Sequence, residues 1–109
     1  MRREVFLAIL LTIPCPAVAG RFENGNDIFD WCTDSGKISS CQAYVVGIAD
    51  AMSGGDRVYG RHACFQTGVA ARQIQDVVVG YLSRHAAERQ YDAAFLIAGA
   101  LQESFPCTR

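Results

Sequence analysis

The stretch Ile74-Gln75-Asp76-Val77-Val78-Val79-Gly80-Tyr81-Leu82-Ser83-Arg84-His85 decides the fold. Read alone, Val77-Val78-Val79 would suit a strand, because β-branched side chains favour a pleated surface. The wider register says otherwise. Ile74, Val77, Val78, Tyr81, Leu82 and His85 recur at i, i+3, i+4, i+7, i+8 and i+11, one face of a helix with 3.6 residues per turn. Arg72, Gln75, Asp76, Ser83 and Arg84 fall on the other side.

Working outward, residues 86–91 form a connection and Asp92 suits the N-cap of a further helix. That helix, 93–105, is apolar nearly all round as far as Leu101, so it is expected to be the most buried, and Pro106 stops it. On the N-terminal side, Ser39 or Ser40 can cap a helix whose Tyr44, Val45, Ile48, Ala49 and Met52 form one continuous face. Gly47 and Asp50 on it are expected to lie at a close helix crossing. Ser53-Gly54-Gly55-Asp56 ends it, and a loop to about Gly68 follows. A short first helix, capped by Asn26 or Asp27, carries Ile28, Phe29 and Trp31 before a turn at residues 33–37. No segment reads as a strand. The expected fold is all-α, a small bundle of four helices.

The N-terminus has a different character. Arg2-Arg3, an apolar run from Val5 to Ile13 and Ala17-Val18-Ala19 make a basic region, an apolar core and a small-x-small site. This is the pattern of a secretory signal peptide over 1–19, leaving a mature domain of 20–109. The apolar run is too short for a membrane span, which needs about 20 residues, so no membrane attachment is expected after cleavage. Ile13-Pro14 makes a poor acylation signal before Cys15.

The chain has five cysteines, and Cys15 leaves with the leader. Cys32, Cys41, Cys64 and Cys107 remain, an even set that in a short exported domain reads as a disulfide framework. Cys32 ends the first helix and Cys41 opens the second. An antiparallel pairing of the last two helices would set Cys64 beside Cys107. The expected connectivity is Cys32–Cys41 with Cys64–Cys107. At about 2–4 kcal/mol each, such bridges are a large share of a total stability of about 5–15 kcal/mol.

Losing Arg2, Arg3 and Glu4 leaves eight basic and ten acidic residues, with no basic stripe, so nucleic acid is not an expected partner. Cysteine–histidine catalysis would need a free, activated thiolate, and the disulfide framework uses the cysteines up. His62-x-Cys64 lacks zinc-site spacing, and there is no CxxC or HExxH, so neither metal nor cofactor is expected. His85 reads as a helix-terminal histidine half packed in the core. What remains is surface. Arg57, Tyr59, Arg61 and His62 in one loop, and Arg84, Arg89 and Tyr91 around another, combine aromatic rings with guanidinium groups, a mix enriched at protein interfaces.

Several segments together resemble a known family. They are residues 25–32, ending in Asp30-Trp31-Cys32; residues 41–51, with Tyr44, Gly47 and Asp50; the run from Val69 to Leu82; and the ending Phe105-Pro106-Cys107. The chain resembles the Rap/Tai immunity proteins of type VI secretion systems over nearly the whole mature length. The resemblance implies a periplasmic, helical, disulfide-bonded protein without catalysis. It implies a partner that is a peptidoglycan amidase effector of the papain-like cysteine class, inhibited by occlusion of its cleft, and often a homodimeric inhibitor. Within the resemblance, Ala70 stands where a Ser or Thr cap is expected, and Ala86 and Asp92 each replace an expected proline. The alternative is an orphan periplasmic helical protein acting as a stress protein or chaperone.

The disulfide reading makes a direct prediction. Alkylation of the native mature protein followed by mass measurement is expected to label no cysteine; one labelled thiol would restore the catalytic reading.

Overall fold

The computed structural model describes residues 22–108; the expected leader and its cleavage site lie outside the described residues. Within them the chain forms α1 (Gly25–Thr33), α2 (Ile38–Ser53), α3 (Ala71–Arg84) and α4 (Ala93–Ser104), with single 3-10 turns at Ser35–Lys37 and Ala86–Glu88. The all-α expectation holds.

Each helix start has a local cause. α1 is capped by Asn24, not by Asn26 or Asp27. Asn24 Oδ1 accepts from the Asp27 N–H at 3.0 Å, and Asp27 Oδ2 accepts from the Asn24 N–H at 3.0 Å, so two otherwise unpaired donors are satisfied reciprocally. α2 needs no serine cap, because the 3-10 turn at Ser35–Lys37 runs straight into Ile38. Asp34 Oδ1 caps that turn through the Gly36 N–H at 2.9 Å. α3 has half a capping box: Gln73 Oε1 accepts from the Ala70 N–H at 2.9 Å, but alanine has no side-chain oxygen to return the bond.

α4 is the centre. Ala93, Leu96, Ile97, Ala98, Gly99, Ala100 and Leu101 are all buried. α1 contributes Ile28 and Cys32 to the same core, α2 contributes Cys41, Val45, Ala49 and Met52, and α3 contributes Ile74, Val78 and Leu82. The α3 register thus buries the residues its periodicity predicts, with one addition. Gln75, expected on the outer side, is 7 % exposed and accepts a 2.7 Å hydrogen bond from Gln42 Nε2 of α2. It lies one residue from Ile74 and three from Val78, so a slightly wider packed stripe takes it in, and the amide partner offsets the burial of its carbonyl.

Both disulfides form as expected, Cys32–Cys41 and Cys64–Cys107. They close separations of 9 and 43 residues, for which loop-closure entropy assigns about 2.5 and 4 kcal/mol. The α3–α4 pair departs from a simple antiparallel hairpin. Arg84 near the end of α3 donates to Glu103 near the end of α4 at 3.0 Å, so the C-terminal ends of the two helices are bridged. Cys64 meets Cys107 because the loop preceding α3 follows α4. Its Tyr59 lies at Asp92 and Phe95, Arg61 at Phe95 and Gly99, and the Cys64 N–H donates to the Phe105 carbonyl at 2.8 Å.

Two glycines separate close packing from open surface. Gly47 is exposed, and a Cβ there would meet nothing within 4 Å. Asp50 is exposed as well. The expected crossing at these positions is therefore absent, because α2 turns its Cys41–Val45–Ala49–Met52 face inward and this one outward. Gly25 is the opposite case. A Cβ would strike the Leu96 side chain and lie 2.9 Å from the Arg89 carbonyl, at the point where Gly25 N–H donates to the Tyr91 carbonyl. The two glycines should therefore respond to alanine with opposite signs. Gly25→Ala is expected to lower stability by about 1–3 kcal/mol through overpacking, and Gly47→Ala to raise it by up to about 1 kcal/mol through helix propensity. Denaturant midpoints at unchanged m-value check both.

Candidate binding surface

The residues singled out as surface contacts do not form one patch. The structure sorts them into three groups, each with its own physical role.

The first group sits on a two-residue hairpin turn. Val58 and Arg61 exchange backbone hydrogen bonds at 2.9 and 3.0 Å, with Tyr59 at φ +53° and Gly60 at φ +76° between them. Both signs are positive, as this turn requires, and Gly60 meets that at no steric cost. Tyr59 does not; a side chain in the left-handed region costs about 1–2 kcal/mol. Two contacts hold it there. Its hydroxyl donates to Asp92 Oδ2 at 2.6 Å, and its ring meets Phe95 edge-on at 5.5 Å between centroids. Tyr91 meets Phe95 in the same manner at 6.2 Å. Tyr59, Tyr91, Asp92 and Phe95 line one open cleft, with Tyr59 55 % and Tyr91 46 % exposed. Arg61 lies on the far side of this group. Its guanidinium rests 5.2 Å over Phe95 and reaches toward Gly99, where a Cβ would be 2.9 Å from Nη1.

The second group is Arg57 and His62, across the hairpin from each other. Arg57 Nη1 donates to the Gly60 carbonyl at 3.1 Å and to His62 Nδ1 at 2.8 Å. A guanidinium can only donate, so His62 Nδ1 accepts and its ring proton sits on Nε2. This pair stiffens the hairpin from its outer side.

The third group lies at the end of α3. Arg84 is exposed and paired with Glu103. Arg89 is half-buried; its guanidinium lies 4.0 Å over Phe29, and its Nη1 donates to the last-turn carbonyl of Leu82 at 3.3 Å. Its backbone carbonyl accepts from Asn26 N–H at 2.9 Å. Arg89 therefore joins α1 to the end of α3, a packing role that charge alone in a connection does not reveal. His85 behaves as read from its position: its ring stacks on Tyr81 at 4.0 Å, and Nδ1 faces the Tyr81 carbonyl at 2.8 Å.

Asp92, expected as a helix cap, and Phe95, which no sequence signal marks, join this surface. Asp92 occupies the cap position of α4, but its side chain makes no cap bond and turns to Tyr59. Phe95 looks like one more apolar residue of a buried helix, and nothing in its spacing marks it as half-open. Glu23 is also here, its carbonyl accepting from Ala93 N–H at 2.9 Å. Burial, and then the carboxylates of Glu23 and Asp92, push the Tyr44 phenol above its ordinary value.

A family model described as Rap1a immunity proteins matches residues 24–107. No curated protein and no solved structure matches the chain.

Since the Tyr59 backbone is held in an unfavourable region by its side chain, removing the hydroxyl should be felt. Tyr59→Phe is expected to lower stability by about 0.5–1.5 kcal/mol, the worth of one hydrogen bond. Asp92→Asn, which keeps an acceptor oxygen for the phenol, should cost less than this. Equilibrium unfolding of the two variants checks the order.

Proposed function

The chain belongs to the Rap1a immunity protein family, and from that premise we propose that it is a periplasmic inhibitor of a peptidoglycan-degrading cysteine amidase. In this reading the amidase is an effector of a type VI secretion system, and the protein acts by covering its substrate cleft without catalysis of its own.

The observation that carries the reading is the hairpin at Tyr59. A rigid aromatic, projecting from a turn whose backbone is locked by Phe95 and Asp92, is a preorganised contact that loses little conformational freedom on binding. Tyr91 and Arg61 flank it, and the Arg57–His62 pair supports it from behind. Export is supported by the leader pattern of residues 1–19 and by the disulfides, which persist outside reducing compartments. All four cysteines of the described residues are in those disulfides, so none is a thiolate nucleophile. The stress-protein alternative calls for a broad apolar client surface. Among the described residues the exposed large apolar side chains are Phe22, Tyr59 and Tyr91, and both tyrosines pack on Phe95.

Growth rescue tests the proposal. Amidase toxins encoded beside this gene would be directed singly to the periplasm and co-expressed with the full chain. Rescue by the intact chain, lost when residues 1–19 are deleted, is the expected result. Failure against every such toxin, or rescue that survives deletion of the leader, would overturn the periplasmic immunity role.

A further inference from the structure

The two disulfides sit in unlike surroundings. Cys32 and Cys41 are 4 % and 0 % exposed, and each lies inside a helix, Cys32 in α1 and Cys41 in α2. A reagent reaches their sulfurs only when those helices part. Cys64 is exposed and Cys107 half-buried, and neither belongs to a helix. Cys64 stands in the loop before α3, and Cys107 follows Pro106 beyond the end of α4. Neither is among the buried core residues, so parting their sulfurs opens no cavity between the four helices. The rate of thiol–disulfide exchange depends on access to the sulfur attacked, and on this ground the two bridges differ sharply.

They differ in what they hold as well. Cys32–Cys41 closes 9 residues within the core, whereas Cys64–Cys107 closes 43 and ties the loop behind the Tyr59 hairpin to the chain beyond α4. Around that tie the Cys64 N–H donates to the Phe105 carbonyl at 2.8 Å, the Phe65 ring meets Phe105, and the small side chain of Ala63 is buried. One hydrogen bond and one ring contact are modest beside a covalent link.

We propose that Cys64–Cys107 is a thiol-exchange site, opened by a dithiol reductant while Cys32–Cys41 stays closed, and that its opening frees the loop end of the hairpin in a protein that remains folded. One thiolate of the dithiol attacks Cys64 Sγ, the more exposed of the pair. A sulfur–sulfur bond forms there as the Cys64–Cys107 bond breaks, and the electron pair leaves on Cys107 Sγ, which takes up a proton. The second thiolate of the reductant then attacks the first sulfur of the same reductant and releases Cys64, which is protonated in turn. The dithiol is oxidised to its disulfide by two electrons, the two cysteines are reduced by the same two, and the two protons balance. At the far end Tyr59 stays on Asp92 and Phe95, and Arg61 stays over Phe95, so the loop is then held at one end only. The site does not rest on the immunity reading; that reading adds only that the loosened hairpin is the contact surface.

The test uses the oxidised mature protein and dithiothreitol as the dithiol. Samples are taken during reduction in native buffer, quenched by alkylation, digested and weighed. The expected first product carries two alkyl groups, on Cys64 and Cys107, and forms at least about ten-fold faster than any product alkylated on Cys32 or Cys41. Without air, the same one-bridge species is followed by nitrogen relaxation. Its α1 and α2 amides should keep order parameters of about 0.85, while those of residues 63–65 fall below about 0.6. Reduction of both bridges together, or of Cys32–Cys41 first, would overturn the site. A one-bridge species that has lost its spectral dispersion would overturn the folded open state. Order parameters at residues 63–65 unchanged from the oxidised protein would overturn the release. Growth rescue by the intact chain decides the immunity role separately, since none of these readouts needs a toxin.

Discussion

A helix without a polar face must be covered on every side, and α4 is such a helix. Seven of its residues from Ala93 to Leu101 are buried, and no single neighbour can enclose a cylinder about 10 Å across. α1, α2 and α3 cover three sides. The remaining side is covered by the hairpin turn at Tyr59 and the residues that follow it to Cys64, whose contacts run along α4 from Asp92 to Phe105. The covering is tight where it crosses Gly99: a Cβ there would lie 2.9 Å from the Arg61 guanidinium and 3.2 Å from the Tyr81 hydroxyl. This glycine is needed for close approach, whereas Gly47 on the open face of α2 is not.

That strap is fastened at both ends by different means. At one end the Cys64–Cys107 disulfide, the Cys64 backbone bond to Phe105 and the Phe65–Phe105 ring contact at 4.9 Å hold it to the chain terminus. At the other end the hairpin turns on Tyr59, whose phenol and ring reach Asp92 and Phe95. A long connection free to move would present its side chains in many arrangements; one fastened twice presents them in one. The surface proposed to meet a partner is thus a by-product of how the apolar helix is enclosed. The Cys32–Cys41 bridge serves a different purpose. It is buried in the core and joins α1 to α2 across the short 3-10 turn.

The family resemblance and the physical reading meet at this place. The positions where the chain departs from the expected pattern include Asp92, which stands for a proline. A proline there could offer no acceptor to Tyr59 and no charge to the cleft. Ala86 and Ala70, the other departures, have no such consequence: Ala70 leaves half a capping box, and Ala86 opens a 3-10 turn.

The helices were legible because their causes are local. The period of Ile74, Val78 and Leu82, the stop at Pro106 and the uninterrupted apolar run of 93–101 depend only on neighbours along the chain, as does the Cys32–Cys41 pairing across one short turn; Cys64–Cys107 forms as expected but through the loop along α4 and not through an antiparallel helix pair. Errors arose where a neighbour in space decided. Gly47 suggests a crossing because glycine in a helix permits close approach, but which face of α2 is packed depends on where α3 and α4 lie. Gln75 looked exterior by polarity, and only Gln42 opposite makes its burial tolerable. The site is legible in composition alone: Tyr59, Arg61 and Tyr91 stand out as contact residues, whereas the packing of Arg89 on Phe29 does not show, Asp92 reads only as a helix cap, and Phe95 carries no mark. The sequence by itself determined the helices, the staples and the stock of aromatic and charged groups, because propensity, periodicity and covalent chemistry act along the chain. The tertiary structure alone decided which of those groups share one cleft, because that depends on laying residues 59–64 against a helix more than thirty positions away, where hydrogen bonds and ring contacts form between residues with no local relation.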